Sequence, residues 1–191
     1  MVSVRSSEIT ETTIAINVAI NRVANLTFEI GERVVHPQYG VGEIVKLEDR
    51  EFERGETRRY YEISIPGGST VWVPVDMSDS GLRRLARKGD LAQCREILTS
   101  KPSSLTEDGR IRQSELVGRL KRGTIAVQCE IVRDLSAFVS HKPAYGTITG
   151  FLEMMQSVLC QEWAIVEEIS LAEASAEIHL LLGKGQVATK G

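Results

Sequence analysis

Hydrophobic and polar positions follow two different periods along the chain. Between residues 28 and 77, apolar side chains, many of them β-branched, alternate with polar ones, which is the period of β-strands. From residue 80 onward the apolar positions recur every three or four residues, which is the period of amphipathic helices. The change of period predicts an α+β protein in which a β module precedes a helical module.

Residues that favour turns divide the β module into short strands. Pro37, Gly55 and the segment 66–68 interrupt it, and Gly40 to Gly42 is predicted to be a turn or a bulge. The predicted strands cover residues 33–36, 43–52, 60–65 and 70–75. Short strands joined by tight turns predict a small, strongly bent antiparallel barrel of the Tudor or SH3 type. Such barrels bind partners through sheet edges and loops more often than they catalyse.

The second module is predicted to be a compact all-helical domain of five amphipathic helices. Asp90 is the candidate N-cap of the first helix and Thr124 of the third, and the second covers residues 111–121. Ser170 and Glu173 have the spacing of a capping box at the start of the last helix. The predicted core positions are Leu91, Cys94 and Leu98; Leu116, Val117 and Leu120; Ile125, Cys129, Val132, Leu135 and Val139; Ile148, Leu152, Met155, Leu159, Trp163, Val166 and Ile169; and Leu171, Ala174, Ile178 and Leu181.

The chain is therefore predicted to have four segments. Residues 1–27 form an N-terminal extension of unassigned role, residues 28–78 the β module, residues 79–183 the helical module and residues 184–191 a flexible polar tail. Residues 14–20 alternate like a strand but lie among polar residues. A flexible extension, an added edge strand and a wrongly assigned start of the chain are all open for this segment.

Charge is distributed unevenly. The 191 residues carry 23 Lys and Arg against 26 Asp and Glu, a net charge of −3. Residues 79–142 hold 13 basic and 8 acidic side chains, a net charge of +5. A basic stretch can bind the phosphate backbone of nucleic acid, and it can equally be a solvated helical face. Because no apolar run approaches the roughly 20 residues that span a bilayer, and no secretory signal begins the chain, we expect a cytoplasmic protein.

No constellation of catalytic or metal-ligating residues is visible in the sequence. Phosphate-binding loops, the nucleophile elbow of hydrolases and the zinc-protease motif are all missing. Cys94, Cys129 and Cys160 are too far apart for zinc-ligand spacing, and buried free thiols are expected. His36 lies at a strand end before Pro37, so a role in the turn is favoured over a role as a ligand, and one of the two rings of Tyr60 and Tyr61 is assigned to the core. We expect no cofactor, no metal and no enzymatic activity.

An ordered set of motifs resembles the CarD/CdnL family of bacterial transcription regulators, whose first module also occurs in transcription-repair coupling factor. The opening block is Phe28-x-Ile30-Gly31-Glu32-x-Val34-Val35-His36-Pro37-x-x-Gly40-Val41-Gly42-x-Ile44. Later blocks agree in order, namely the strand from Val71 to Pro74, Gly81-Leu82-Arg83, and Glu130-Ile131-Val132-Arg133-Asp134-Leu135. The resemblance covers residues 28–183.

The resemblance implies that the Tudor-like module binds the β subunit of RNA polymerase. The helical module is implied to contact the backbone and minor groove of promoter DNA, which stabilises the open complex without sequence specificity. Arg50 matches a basic strand position that family members use against the polymerase. Trp72 stands where many members carry an arginine, and it could bury against the same partner.

The resemblance also implies DNA-contacting residues, but with one departure. Many members carry a tryptophan before the second helix that wedges into the minor groove, whereas residues 106–112 contain no aromatic side chain. Ile111 could act as a weaker wedge, but a core position in the first helical turn is favoured. Arg112 aligns with a basic DNA-contacting position. The predicted DNA-binding set is Arg110, Arg112, Arg119, Lys121 and Arg122.

Two other classes of function are open. The missing tryptophan is also compatible with a protein-interaction adaptor that binds polymerase but has lost contact with DNA. An enzyme on an unrecognised helical domain has no residue in its favour.

Overall fold

In the computed structural model, residues 28–53, 55–76, 80–121, 123–141 and 146–187 are described. The N-terminal extension, Arg122, most of the loop predicted at residues 143–146 and the last four residues lie outside these ranges.

Among the described residues, an antiparallel sheet of five strands precedes five helices. The strands are β1 (Arg33–His36), β2 (Gly40–Glu53), β3 (Glu56–Ile65), β4 (Ser69–Pro74) and β5 (Arg83–Arg84), hydrogen-bonded in the order β4-β3-β2-β1-β5. The helices are α1 (Lys88–Thr99), α2 (Gly109–Leu120), α3 (Ile125–His141), α4 (Gly146–Glu167) and α5 (Leu171–Val187). The predicted α+β class is confirmed.

The sheet encloses a small apolar core. Its buried members are Phe28, Val34, Ile44, Tyr61, Ile63, Val73 and Leu82. Tyr61 lies inside this core, and its hydroxyl accepts a hydrogen bond of 3.1 Å from the backbone N–H of Phe28. Tyr60, the next residue on β3, is only half-buried. The predicted division of the two rings between the core and the outside is therefore confirmed.

Gly40 directly follows the first hairpin turn and does not lie in a bulge. Gly40 begins strand β2, and the bulge in this strand lies further on, between Ile44 and Lys46. Gly40 has φ +80°, and a side chain here would overlap the amide of Gln161 on α4. Glycine is therefore favoured here mainly by the positive φ, which L side chains rarely adopt, and the Gln161 side chain would have to move to admit any other residue.

The helices bury most of the stripes that the period predicts, but Val117 and Leu171, both predicted core positions, are 43% and 56% exposed. Three helix ends also differ from the prediction. Helix α1 begins at Lys88, and the Asp90 carboxylate accepts from the Arg87 N–H at 2.8 Å, so Asp90 is not the N-cap. Helix α2 begins at Gly109 because Asp108 caps it, accepting from two backbone N–H groups. Helix α5 continues to Val187, beyond the predicted end of the helical module. The N-caps predicted at Thr124 and Ser170 are present.

A buried ion pair joins the sheet to the helices. The Glu162 side chain on α4 is fully buried and accepts hydrogen bonds from Arg83 at 2.5 and 2.6 Å and from the backbone N–H of Ala86 at 2.8 Å. Arg83 also donates to Gln128 on α3 at 2.8 Å. Val35 and Val41 of the sheet pack against Val158 of α4 beside this network. Strand β5, which was not predicted, is too short to show a period; it pairs with β1 and carries Arg83 of this network.

Replacing Glu162 with Gln is expected to lower the free energy of unfolding by about 3 kcal/mol, because it leaves the Arg83 guanidinium buried without a balancing charge. Urea denaturation measures this free energy. Glu168→Gln is the matched control, since the Glu168 side chain is 81% exposed and the change is expected to cost less than about 0.5 kcal/mol. Equal stability of the two variants would contradict the assigned role of Glu162.

Stability is also expected to fall in mild acid through His36. Burial lowers the pKa of His36 from 6.5 to about 4, and its Nδ1 accepts from the Gln38 N–H at 3.1 Å. Since the folded state binds the proton more weakly than the unfolded state, stability is complete above pH 6.5 and declines as the pH falls toward 4. His36→Asn keeps an acceptor but does not titrate. Between about pH 7 and pH 5, wild type should lose on the order of 1 kcal/mol more unfolding free energy than this variant, after allowance for partial exposure.

Candidate binding surfaces

The outward face of the sheet carries a cluster of aromatic and charged side chains. Alternation along β2, β3 and β4 places Tyr61, Ile63 and Val73 in the core and their neighbours on the opposite face. The register aligns Lys46 with Glu62 and Trp72 in one row across these three strands. The cluster, here called the sheet face, consists of Lys46, Glu48, Arg50, Tyr60, Glu62 and Trp72.

Arg50 and Trp72, the two residues predicted to bind polymerase, are brought together on this face. The Arg50 guanidinium carbon lies 3.4 Å from the centroid of the Trp72 ring, which is a cation–π contact. Glu48 accepts a hydrogen bond from Arg50 and forms an ion pair with Lys46. The hydrogen bonds from Lys46 and Arg50 lower the pKa of Glu48. Arg50 is thus held between a ring and a carboxylate, while 38% of its side chain stays exposed.

The sequence analysis missed Lys46 and Glu48 as parts of this cluster. Their signal is present, since residues 46, 48 and 50 share one face of a strand. What the sequence lacks is the register, which brings Trp72 to the same face from two strands away.

Strand β4 lies at the edge of the sheet. Its hydrogen bonds to β3 run along one side, from Tyr60 opposite Pro74 to Ile65 opposite Ser69. Within the part of the chain that the structure describes, no further strand pairs with its other side. An open strand edge is a template for pairing with another chain, and this edge adjoins the sheet face because Trp72 belongs to β4.

The basic segment of the helical module turns much of its charge inward. Several of its arginines form ion pairs or hydrogen bonds with other parts of the protein, namely Arg83, Arg95, Arg112, Arg119 and Arg133. Arg95, for example, pairs with Glu167 and Glu177 at 2.7 Å each and lies over the Trp163 ring. The net charge of this segment is therefore a poor measure of the positive charge that a partner would meet.

Two of the predicted DNA-binding arginines are among these bonded arginines. Arg112 donates to the backbone carbonyls of Thr106 and Glu107 at 2.8 and 3.1 Å, and its guanidinium lies over the Phe138 ring. Arg119 pairs with Glu130 and Asp134 at 3.1 Å each, and its side chain is only 20% exposed. Arg112 therefore holds the loop before α2, and Arg119 holds the end of α2 against α3.

Arg110 and Lys121 are exposed, but they lie apart. Arg110 is in the first turn of α2 and Lys121 directly follows its last residue, so about 16 Å of helix separates them. Ile111, next to Arg110, is 53% exposed. The core position predicted for Ile111 is therefore wrong, because α2 contributes only Leu116 to the fully buried core. Arg122 lies outside the described residues.

No metal or membrane site emerges from the described residues. Within them, no group of three or more His, Cys, Asp or Glu side chains could hold a metal ion. None of the described helices combines the length and the apolar character needed to cross a membrane. The three cysteines are free, with Cys94 and Cys129 fully buried as expected and Cys160 half-buried.

Comparison with known proteins bears on the sheet and on the chain as a whole. Residues 28–86, which include all five strands, match the family described as CarD-like/TRCF RID domain. The chain is also 26% identical over 145 residues to a Bacillus subtilis (strain 168) protein named "Putative transcription factor YdeB". This similarity covers 75% of the present chain and 94% of the relative. The N-terminal region of the chain, residues 28–86, is therefore a CarD-like/TRCF RID domain.

Proposed function

We propose that this protein regulates transcription by binding the β subunit of RNA polymerase through its CarD-like domain and contacting promoter DNA through its helical module. In this proposal the contacts stabilise the open promoter complex. The match of residues 28–86 to the CarD-like/TRCF RID domain carries the proposal. The relative named as a transcription factor, similar along most of its length, supports a role in transcription for more than this domain alone.

The sheet face is the proposed polymerase-binding surface. Trp and Arg side chains dominate the energetics of many protein interfaces, and Trp72 and Arg50 stand in contact at its centre. Because Arg50 is already held by Trp72 and Glu48, it loses little conformational freedom on binding. The edge of β4, with which no described strand pairs on its outer side, adds backbone donors and acceptors beside these side chains.

Arg110 and Lys121 are the proposed DNA contacts of the helical module, with Ile111 as an exposed apolar tip. Arg112 and Arg119 support this surface from inside, because their guanidinium groups are bonded to the loop and to α3. Phosphate contacts of this kind give affinity that depends on salt and not on sequence. Without an aromatic wedge, we expect less stabilisation of distorted DNA than a tryptophan would give.

The adaptor that binds polymerase without DNA is the second candidate. The inward pairing of the arginines favours it, because it leaves few exposed cations on α2 for a phosphate backbone.

Polymerase binding is tested with the isolated β lobe and the full chain by biolayer interferometry. Trp72→Ala and Arg50→Glu are each expected to weaken binding by at least about tenfold, the loss typical of a central interface residue. Lys88→Glu is the matched control for charge, since Lys88 is 62% exposed on α1, away from the sheet face. Wild-type affinity in both sheet-face variants would sink the assignment of this surface.

DNA binding is tested by fluorescence anisotropy with forked duplexes of two unrelated sequences. Affinity should be equal for both sequences and should fall steeply between about 50 and 200 mM salt. Arg110→Gln should reduce the slope of log K against log salt by about 1, whereas Arg59→Gln on the hairpin, at a side chain 61% exposed, should leave it unchanged. Salt-independent, sequence-selective binding would contradict the proposed contact, and no binding at low salt would favour the adaptor.

A further inference from the structure

Asp134, on helix α3, is a fully buried carboxylate with donors on two sides. Oδ1 accepts from the backbone N–H of Ser103 at 2.9 Å and from the Arg133 guanidinium at 2.7 and 2.9 Å. Oδ2 accepts from Arg119 at 3.1 Å. A carboxylate buried to this extent is stable only when several donors satisfy it, as they do here.

Asp134 bonds to the loop that precedes α2 and to the last turn of α2. Ser103 belongs to the loop between α1 and α2, and Arg119 belongs to the last turn of α2. Arg133 extends the contact to the start of that loop, where it donates to Ser100 Oγ at 2.6 Å. Asp134 thus connects the loop and helix α2 to α3, and Arg133 adds Ser100, the residue that follows α1.

Polar bonds matter more for α2 than for the other helices because its apolar attachment is small. Leu116 is its only fully buried residue, and Val117, predicted to face the core, is 43% exposed. The position of the exposed tip, Arg110 and Ile111, therefore depends on the ties from Asp134 and Arg112.

We propose that Asp134 is a positioning residue for DNA binding: it holds the α1–α2 loop and helix α2 in the arrangement that presents Arg110 and Ile111 to DNA. This inference rests on the proposed DNA contact of the helical module. Asp134 itself does not touch DNA, since its side chain is buried.

A loss of positioning and a change in net charge should alter DNA affinity in opposite directions, so the two effects can be separated by experiment. The cluster of Arg119, Arg133, Glu130 and Asp134 has two charges of each sign and is neutral. Removing a carboxylate makes it positive, which by itself would strengthen binding to DNA. Loss of positioning would weaken binding in spite of the added positive charge.

The experiment compares Asp134→Asn with Glu168→Gln in the full chain, by anisotropy on the forked duplex at low salt. Asp134→Asn is expected to bind about tenfold more weakly than wild type. Glu168→Gln makes the same change of charge at a side chain that is 81% exposed and makes no bond to Arg119 or Arg133. It is expected to bind as wild type does or slightly more tightly. Both variants should bind the β lobe with wild-type affinity.

A second variant keeps the test decisive if Asp134→Asn fails to fold. Ser100→Ala with Ser103→Ala removes two exposed hydroxyl acceptors of Arg133 without changing charge. It should weaken DNA binding about threefold and speed hydrogen exchange at the Ser103 amide. If wild type binds DNA and every folded variant binds equally well or more tightly, the positioning role is refuted while the DNA contact stands. If wild type does not bind DNA, the proposed DNA contact fails and this inference fails with it.

Discussion

The burial of the Glu162 carboxylate is the constraint on which the arrangement of the two modules depends. A charge removed from water needs donors, and those available are the guanidinium of Arg83 and the backbone N–H of Ala86, both in the segment that leaves the sheet. Satisfying the carboxylate therefore fixes β5, and with it the sheet, to helix α4. The close passage of Gly40 past Gln161 brings β2 to the same helix. Any surface that the sheet presents is thereby held in a set position relative to the helices.

The need of a charged group for partners also explains the positions of the arginines in the basic segment. Arginines in helices α1 to α3 pair with carboxylates and carbonyl oxygens of the protein, and the guanidinium groups of Arg95 and Arg112 lie over aromatic rings. A single buried aspartate, Asp134, then organises a loop and a helix that have little apolar contact of their own. Net charge counted along the sequence does not register this, because it gives an exposed lysine and an internally paired arginine the same weight.

The two proposed surfaces differ in how they are built. The sheet face follows from strand alternation and register, so its side chains are ordered by the ladder that forms the sheet. The exposed tip of α2 follows from polar ties, because α2 buries only Leu116 completely. Substitutions in the strands should therefore disturb the sheet face, and substitutions in the polar contacts of α2 should disturb its exposed tip. The contributions of the two surfaces can thus be measured separately.

By itself, the sequence determined the order of modules, the four longer strands and the apolar stripes of the helices, because a period of two or of three to four is a local property of the chain. It also determined that one of the rings of Tyr60 and Tyr61 lies in the core and the other outside, and it identified Arg50 and Trp72 as candidates. Only the tertiary structure decided that these two side chains meet, since they come from strands separated by β3. Only the tertiary structure decided that Arg112 and Arg119 turn inward and that Ile111 stays exposed, since each depends on partners from other elements. Periodicity depends only on residues that are near in sequence, whereas the partner of a charged side chain is set by residues that folding brings close in space.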